Sequence, residues 1–307
     1  MFLRDLKEFT LKFKGELNLL LVTLFWSATF VLIKDAIQDV SSMLFIAIRF
    51  FIASVLLFVW KGKTIIKNFR GDILPPILLS FLLFIAFATQ TIGLKFTLAT
   101  KSAFITGSSV IMIPFFQTFI EGKIPSRGTT IGAVLVFIGI LLLSSGGGNL
   151  THFLNSIGGN FNIGDALTLI CAIFYSIYVV YLDILSKRYE FWVLVFIQLF
   201  VMAVLSLFFG IGFYFLNVET LHIQLTQNLI IAVLYTSLFA TLIATALQTK
   251  FQKLVTPAKA GIIFSFEPVF AATIAFFTIN EKISNFGVVG SLLIFSGLIV
   301  SEILNGR

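Results

Sequence analysis

Two charged residues stand alone in long apolar stretches, Arg49 in "IAIRFFIASVLL" and Glu267 in "SFEPVFAA". Each lies about nine or ten residues into its run, near mid-membrane if the run is a transmembrane helix rising about 1.5 Å per residue. A charge at that depth costs at least about 2.5–3.5 kcal/mol and normally faces a cavity or a partner. Such a carboxylate can take up a proton or contact a substrate ammonium, while Arg49 can meet a substrate carboxylate or balance Glu267. Structural readings stand beside these: an ion pair between the two, a snorkelling contact for Arg49, or a Glu267 carboxylate capping backbone donors freed by a kink at Pro268.

A second set is polar or aromatic: Trp26, Thr29, Gln90, Ser108, Tyr175, Tyr178, Tyr235, Gln248 and Ser265. Trp26 and Thr29 are three apart, as are Tyr175 and Tyr178, so each pair shares a helix face. Aromatic walls with few fixed polar groups suit a small amphipathic solute. Interhelical hydrogen bonding and lipid contact are the plainer roles for the same residues, and about half of the set is expected to face a cavity. Pro114 and Pro268 each remove a helical hydrogen bond, which suits gating but also an ordinary packed kink.

The elements that must position these residues follow from hydropathy. Hydrophobic residues make up 58% of the 307, and charged ones 11%, against roughly 25% in soluble domains. Ten apolar runs, near 17–35, 40–60, 73–96, 99–121, 128–147, 164–185, 190–216, 228–250, 257–280 and 284–304, are each long enough to cross a bilayer core of about 30 Å. Only helices or closed barrels satisfy their backbone in lipid. The expected fold is therefore an all-α membrane protein with ten transmembrane helices. The only long connection is 148–163, "GNLTHFLNSIGGNFNI".

Of the 21 Lys and Arg, 16 fall in segments on the N-terminal side of the membrane, 4 on the opposite side (Lys34, Lys95, Lys101, Lys282), and Arg49 lies within a span. The positive-inside rule then places both termini in the cytoplasm. Residues 1–16 carry apolar positions at helical spacing among lysines and read as an interfacial segment on the inner leaflet. The first run lacks a small-residue cleavage pattern and is expected to stay as the first span.

Other chemistry is excluded by what is missing. The net charge of +7 is sorted by membrane side rather than gathered on one soluble face, so nucleic acid is not an expected partner. No phosphate-binding GxxxxGK[ST] occurs, and "SSGGGN" at 144–149 reads as a helix end and a turn. Cys171 is the sole cysteine, His152 and His222 fall in connections, and no protease set lies at membrane depth. Neither metal nor cofactor is expected.

The chain also repeats itself. "GAVLVFIGILLLS" (132–144) and "GSLLIFSGLIVSE" (290–302) share Gly132/Gly290, Leu135/Leu293, Phe137/Phe295 and Gly139/Gly297. Pro114 and Pro268 fall in the fourth run of each half, and "TFVLIKD" matches "IYVVYLD" near the start of each. With five spans per half, the second copy enters the membrane from the opposite side, an arrangement that lets two halves rock about a midplane site. The paired glycines, seven residues apart on one face, are expected to let helices approach closely.

"LFWSATFVLIKDAI", "IAIRFFIASVLL", "QTIGLKFTLATKSAFITG", "GDALTLICAIFYSIYVVYLDILSK" and "EPVFAATIAFFTINEKISNFGVVGSLLIFSGLIV" together resemble the two EamA repeats of the drug/metabolite transporter superfamily. The resemblance covers residues 17–304 and implies a first repeat over 17–147 and a second over 164–304. It implies a ten-helix carrier of the cytoplasmic (inner) membrane that moves amino acids, other metabolites or drugs, commonly outward, through a central cavity. Glu281 stands where the family has a glutamate before the last helix, but Lys123 occupies the first-half equivalent and Glu121 is displaced by two, which fits a solvated loop end. The family-like "EP" at 267–268 favours the structural reading of Glu267. The expected function is export of small metabolites such as amino acids by alternating access, with a small-molecule substrate, the lipid bilayer and protons as candidate partners. The alternatives are exchange of phosphorylated or nucleotide-linked sugars, and a non-transporting scaffold or lipid-modifying enzyme.

Overall fold

The computed structural model describes residues 2–144, 161–279 and 284–304. Glu281, Lys282, His152, most of the 148–163 connection and the turn after Ser144 lie outside them. Among the described residues the regular structure is helical, and nine helical segments are long and apolar enough to cross a membrane.

The first half comprises α1 (Phe2–Ser27), α2 (Thr29–Asp39), α3 (Ser42–Asn68), α4 (Leu74–Gly93), α5 (Ala99–Gly107), α6 (Ser109–Glu121) and α7 (Arg127–Ser144). The second comprises α8 (Ile163–Ser186), α9 (Phe191–Phe215), α10 (Gln227–Tyr235), a wide-turn segment (Thr236–Ile243), α11 (Ala244–Phe251), α12 (Pro257–Phe264), α13 (Glu267–Ile279) and α14 (Asn285–Ile303). Side-chain caps fix several starts. Asn162 and Asp165 form a reciprocal capping box on α8, and Thr226, Thr256 and Ser284 cap α10, α12 and α14.

Two expectations need correcting. The ninth run is not one spanning helix: it breaks at Ser265 and Phe266 into pieces of 8 and 13 residues, each too short to span alone. The backbone runs as one helix from Phe2 to Ser27 and breaks at Ala28, and the stretch long and apolar enough to cross a membrane begins at Phe13. Pro268 does not kink a helix. It is the second residue of α13, where a missing N–H costs nothing, whereas Pro114 does lie inside α6.

The break in the ninth run has a twin. Helices α5, α6 and α7 begin at 99, 109 and 127, and α12, α13 and α14 begin at 257, 267 and 285, a constant displacement of 158. In this register the break at Ser108 answers the break at Phe266. The two prolines, 154 apart, are not counterparts.

The glycine phrases pack on each other. A Cβ on Gly132 would meet the Gly297 carbonyl oxygen at 2.5 Å, and one on Gly297 the Gly132 oxygen at 2.7 Å. Gly139 and Gly290 repeat this at 2.6 and 2.5 Å. The pairing of 132 with 297 and of 139 with 290 makes α7 and α14 antiparallel. Backbones this close leave no room for any side chain. Helices α4 and α8 meet the same way at Gly93 and Gly164, and α9 packs along α3 with Gly210 against Met43.

Candidate functional site

A cavity enclosing about 730 Å³ of empty volume, open space at its mouth included, lies inside the bundle. Helices from both halves wall it: Trp26, Thr29, Phe30 and Ile33 from α1 and α2, Arg49 from α3, Phe87 and Gln90 from α4, Thr106 and Ser109 around the Ser108 break, Cys171 and Tyr175 from α8, and Phe264, Ser265, Glu267 and Pro268 around the second break. Both helix interruptions therefore point at the same space. An interrupted helix exposes backbone groups only where protein or a cavity can receive them.

Eight of the residues singled out from sequence line this cavity: Trp26, Thr29, Arg49, Gln90, Tyr175, Ser265, Glu267 and Pro268. Five do not. Tyr178 is fully buried behind Tyr175, its hydroxyl donating to Gln198 Oε1 at 2.7 Å. Tyr235 donates its hydroxyl to the Phe25 carbonyl at 2.9 Å, tying α10 to α1. Gln248 stands one layer back and donates to the Tyr175 hydroxyl at 3.3 Å, so it orients a wall residue. Ser108 donates to the Ile105 carbonyl at 2.6 Å at the break itself. Pro114 lies farther along α6, and Thr118 donates to its carbonyl at 2.9 Å.

Arg49 is 2% exposed and forms no ion pair with Glu267. Its Nε donates to Thr241 Oγ1, its Nη2 donates to the Ala240 carbonyl at 3.2 Å, and its guanidinium carbon lies 5.2 and 5.5 Å from the ring centroids of Phe87 and Phe50. The charge is held by dipoles and π faces rather than by an anion. The wide turns of Thr236–Ile243 make this possible: the Ala240 carbonyl also accepts from Trp26 Nε1 at 3.1 Å, so one carbonyl positions both the cation and the indole. Segments of this kind concentrate at functional sites. Nothing in the hydropathy of "YTSLFATLI" signals it.

Glu267 opens α13 at the positive end of the helix. Its side chain faces the cavity with neither an ion pair nor a hydrogen bond to any described residue, so both structural readings of this carboxylate fail. The aromatic wall is continuous around it. Trp26 meets Tyr175 edge-on at 6.0 Å between centroids and lies 5.4 Å from Phe264, and Tyr175 stacks on Tyr178 at 5.8 Å. Cys171 is buried at the cavity wall. His222 is in an outer connection, and among the described residues no group of three His, Cys, Asp or Glu could hold a metal ion.

Charge counting along the sequence misses a further group. Lys259, read as part of a connection, is 2% exposed and bonded to Glu16 and Glu302. Lys101, likewise read as a connection residue, pairs at 2.6 Å with the buried Asp165.

A multi-pass all-α membrane protein with a cavity between its helices, walled from both halves, is the class that this fold and site define. The sequence profile of the EamA-like transporter family matches the chain twice, over residues 13–145 and 162–302, and the chain belongs to that family. It is thus a membrane transporter rather than an enzyme. An "Uncharacterized transporter" of Archaeoglobus fulgidus is 29% identical over 287 residues, covering 93% of this chain and 85% of the relative. The "Uncharacterized transporter YoaV" of Bacillus subtilis is 23% identical over 299 residues, covering 96% and 98%. A solved structure called only "Crystal structure of protein" superposes with a TM-score of 0.76 at 18% identity, covering 96% of this chain and 98% of that one, a likeness of fold.

Proposed function

We propose that the protein is a secondary carrier of the cytoplasmic membrane that exports small zwitterionic or amphipathic metabolites, amino acids foremost, by alternating access. The observation that carries this reading is the cavity itself: helices of both halves build it, aromatic side chains wall it, and among the described residues it holds one carboxylate, Glu267, which has no partner there. An unpartnered carboxylate facing an apolar cavity fits a substrate ammonium or a transported proton. The constant displacement of 158 and the antiparallel glycine contact of α7 and α14 support two five-span repeats, 17–147 and 164–304, related by a two-fold axis in the membrane plane. In that arrangement α12 and α13 together form the ninth of ten spans. The 16 to 4 distribution of basic residues supports cytoplasmic termini.

Phosphorylated sugars fit less well. They need several cations facing the cavity, and the wall supplies Arg49, whose Nε and Nη2 already bond to Thr241 and Ala240. The test is uptake of labelled amino acids, other small metabolites and sugar phosphates by proteoliposomes of the purified protein. At least one amino acid or similar metabolite is expected to move faster than in protein-free vesicles. Movement of sugar phosphates alone, or of nothing, contradicts the proposal.

A further inference from the structure

Two lysines at the ends of the cavity helices, Lys259 buried and Lys101 half-buried, occupy matching places in the two halves. Lys101 and Lys259 are 158 residues apart, the displacement that relates α5 to α12, α6 to α13 and α7 to α14. Their carboxylate partners lie on the first helices of the two halves, one residue from register: Asp165 and Glu16 are 149 apart, and the matching phrases "TFVLIKD" and "IYVVYLD" are 148 apart. Each pair also joins one half to the other: Lys101 on α5 reaches Asp165 on α8, and Lys259 on α12 reaches Glu16 on α1.

Because the second half is inverted in the arrangement proposed above, the two pairs sit at opposite membrane faces. The outer pair borders a second pocket lined by Lys34, Thr97, Lys101 and Asn162 among others. Thr97 donates to Asp165 Oδ1 at 2.6 Å, Lys34 Nζ donates to the Thr97 carbonyl at 2.5 Å, and Asn162 donates to the Phe96 carbonyl at 3.0 Å. The inner pair is bolstered by Glu302 of α14, which shares Lys259. The outer counterpart of Glu302 in the same register is Ser144, which carries no charge.

A buried ion pair contributes little net stability, because desolvation offsets most of the attraction, and its best-attested use is to set register or to switch. Two largely buried pairs, their lysines at equivalent positions and each crossing the boundary between halves that must move relative to one another, fit the second use. We propose that Lys101–Asp165 and Glu16–Lys259–Glu302 are the outer and inner locks of the cavity, broken in turn as access alternates. This rests on the alternating-access reading, but its test needs no substrate.

The probe is Cys171, the chain's only cysteine and part of the cavity wall. Its labelling by a membrane-impermeant maleimide is compared in right-side-out and inside-out vesicles, with Thr106→Cys in a Cys171→Ser background as a second reporter. Asp165→Asn is expected to raise labelling from the outside at least about threefold, and Glu16→Gln with Glu302→Gln to raise it from the inside by a similar factor. The exchanged pair Lys101→Asp with Asp165→Lys returns the outer value toward wild type, which a merely misfolded variant does not do. Unchanged labelling, or an equal rise from both sides in each variant, overturns the proposal. Side-specific shifts in a protein that moves none of the metabolite panel leave the locks standing and the transport reading refuted. Normal transport with no shift does the reverse.

Discussion

Arg49 is a cation in a protein interior with no anion beside it, and its environment makes its role separable from its contribution to stability. Its guanidinium is served by Thr241, Ala240, Phe50 and Phe87. Removing a buried cation that no described anion pairs removes its desolvation penalty along with its hydrogen bonds to Thr241 and Ala240, so the two changes largely offset. Arg49→Met is therefore expected to leave the thermal midpoint in detergent within about 2 °C of wild type while lowering flux at least about tenfold. Equal loss of stability and flux would make Arg49 a structural residue. Glu219, in the connection after α9, makes a different prediction. Burial alone would push its carboxyl up, but the Lys95 ammonium and the Ser42 N–H outweigh that and hold it below its ordinary 4.5. A depressed folded-state value contributes stability that is present above the unfolded value and lost as pH falls through the folded one. Proteolysis of the 216–226 connection should stay slow and constant from pH 7 to 5 and accelerate below about 4.5, and Glu219→Gln should remove that pH dependence.

The helix contacts that hold the scaffold are set by glycine. A methyl group on Gly290 would lie 2.5 Å from the Gly139 carbonyl oxygen, so α7 and α14 must separate to admit it. Gly290→Ala is expected to cost about 1–3 kcal/mol, as overpacking does, and to lower the thermal midpoint. Gly212→Ala, in a place with nothing within 4 Å, should be close to neutral. An unchanged midpoint for Gly290→Ala would contradict the packing. This contact was legible in sequence because glycine at seven-residue spacing has few uses in a membrane helix other than close approach. The interruptions were not. "AKAGIIFSFEPVFAA" is as apolar as an unbroken span, and the break is held by tertiary contacts with the cavity walls, which hydropathy does not encode. The same holds within the predicted site. Tyr175 and Tyr178 share a helix face, yet Gln198 captures the second hydroxyl from a neighbouring helix and removes it from the cavity. Lys101 and Lys259 escaped notice because each lies within three residues of its helix start, where a lysine ordinarily reaches water.

At the scale of the molecule, one register of 158 relates the interrupted cavity helices α5–α6 and α12–α13, the closing glycine helices and the lysines Lys101 and Lys259 of the two halves. Against that symmetry the differences stand out. Glu267 has Ser109 as its counterpart, so among the described residues a single carboxylate marks the cavity off-centre, and Glu302, which shares Lys259 with Glu16, has Ser144 as its counterpart. A cavity with one ionisable anion, walled by Trp26, Tyr175 and Phe264, is the place where solute and proton are expected to meet. We propose that solute passes through this cavity and, of the two roles that fit Glu267, that it carries a transported proton rather than only meeting a substrate ammonium. Flux of a transported metabolite into proteoliposomes, with and without an imposed pH gradient, for wild type and Glu267→Gln, tests it most directly. The account predicts that the gradient accelerates wild-type flux severalfold and leaves Glu267→Gln unaffected; gradient-driven acceleration of equal size in both proteins would contradict it.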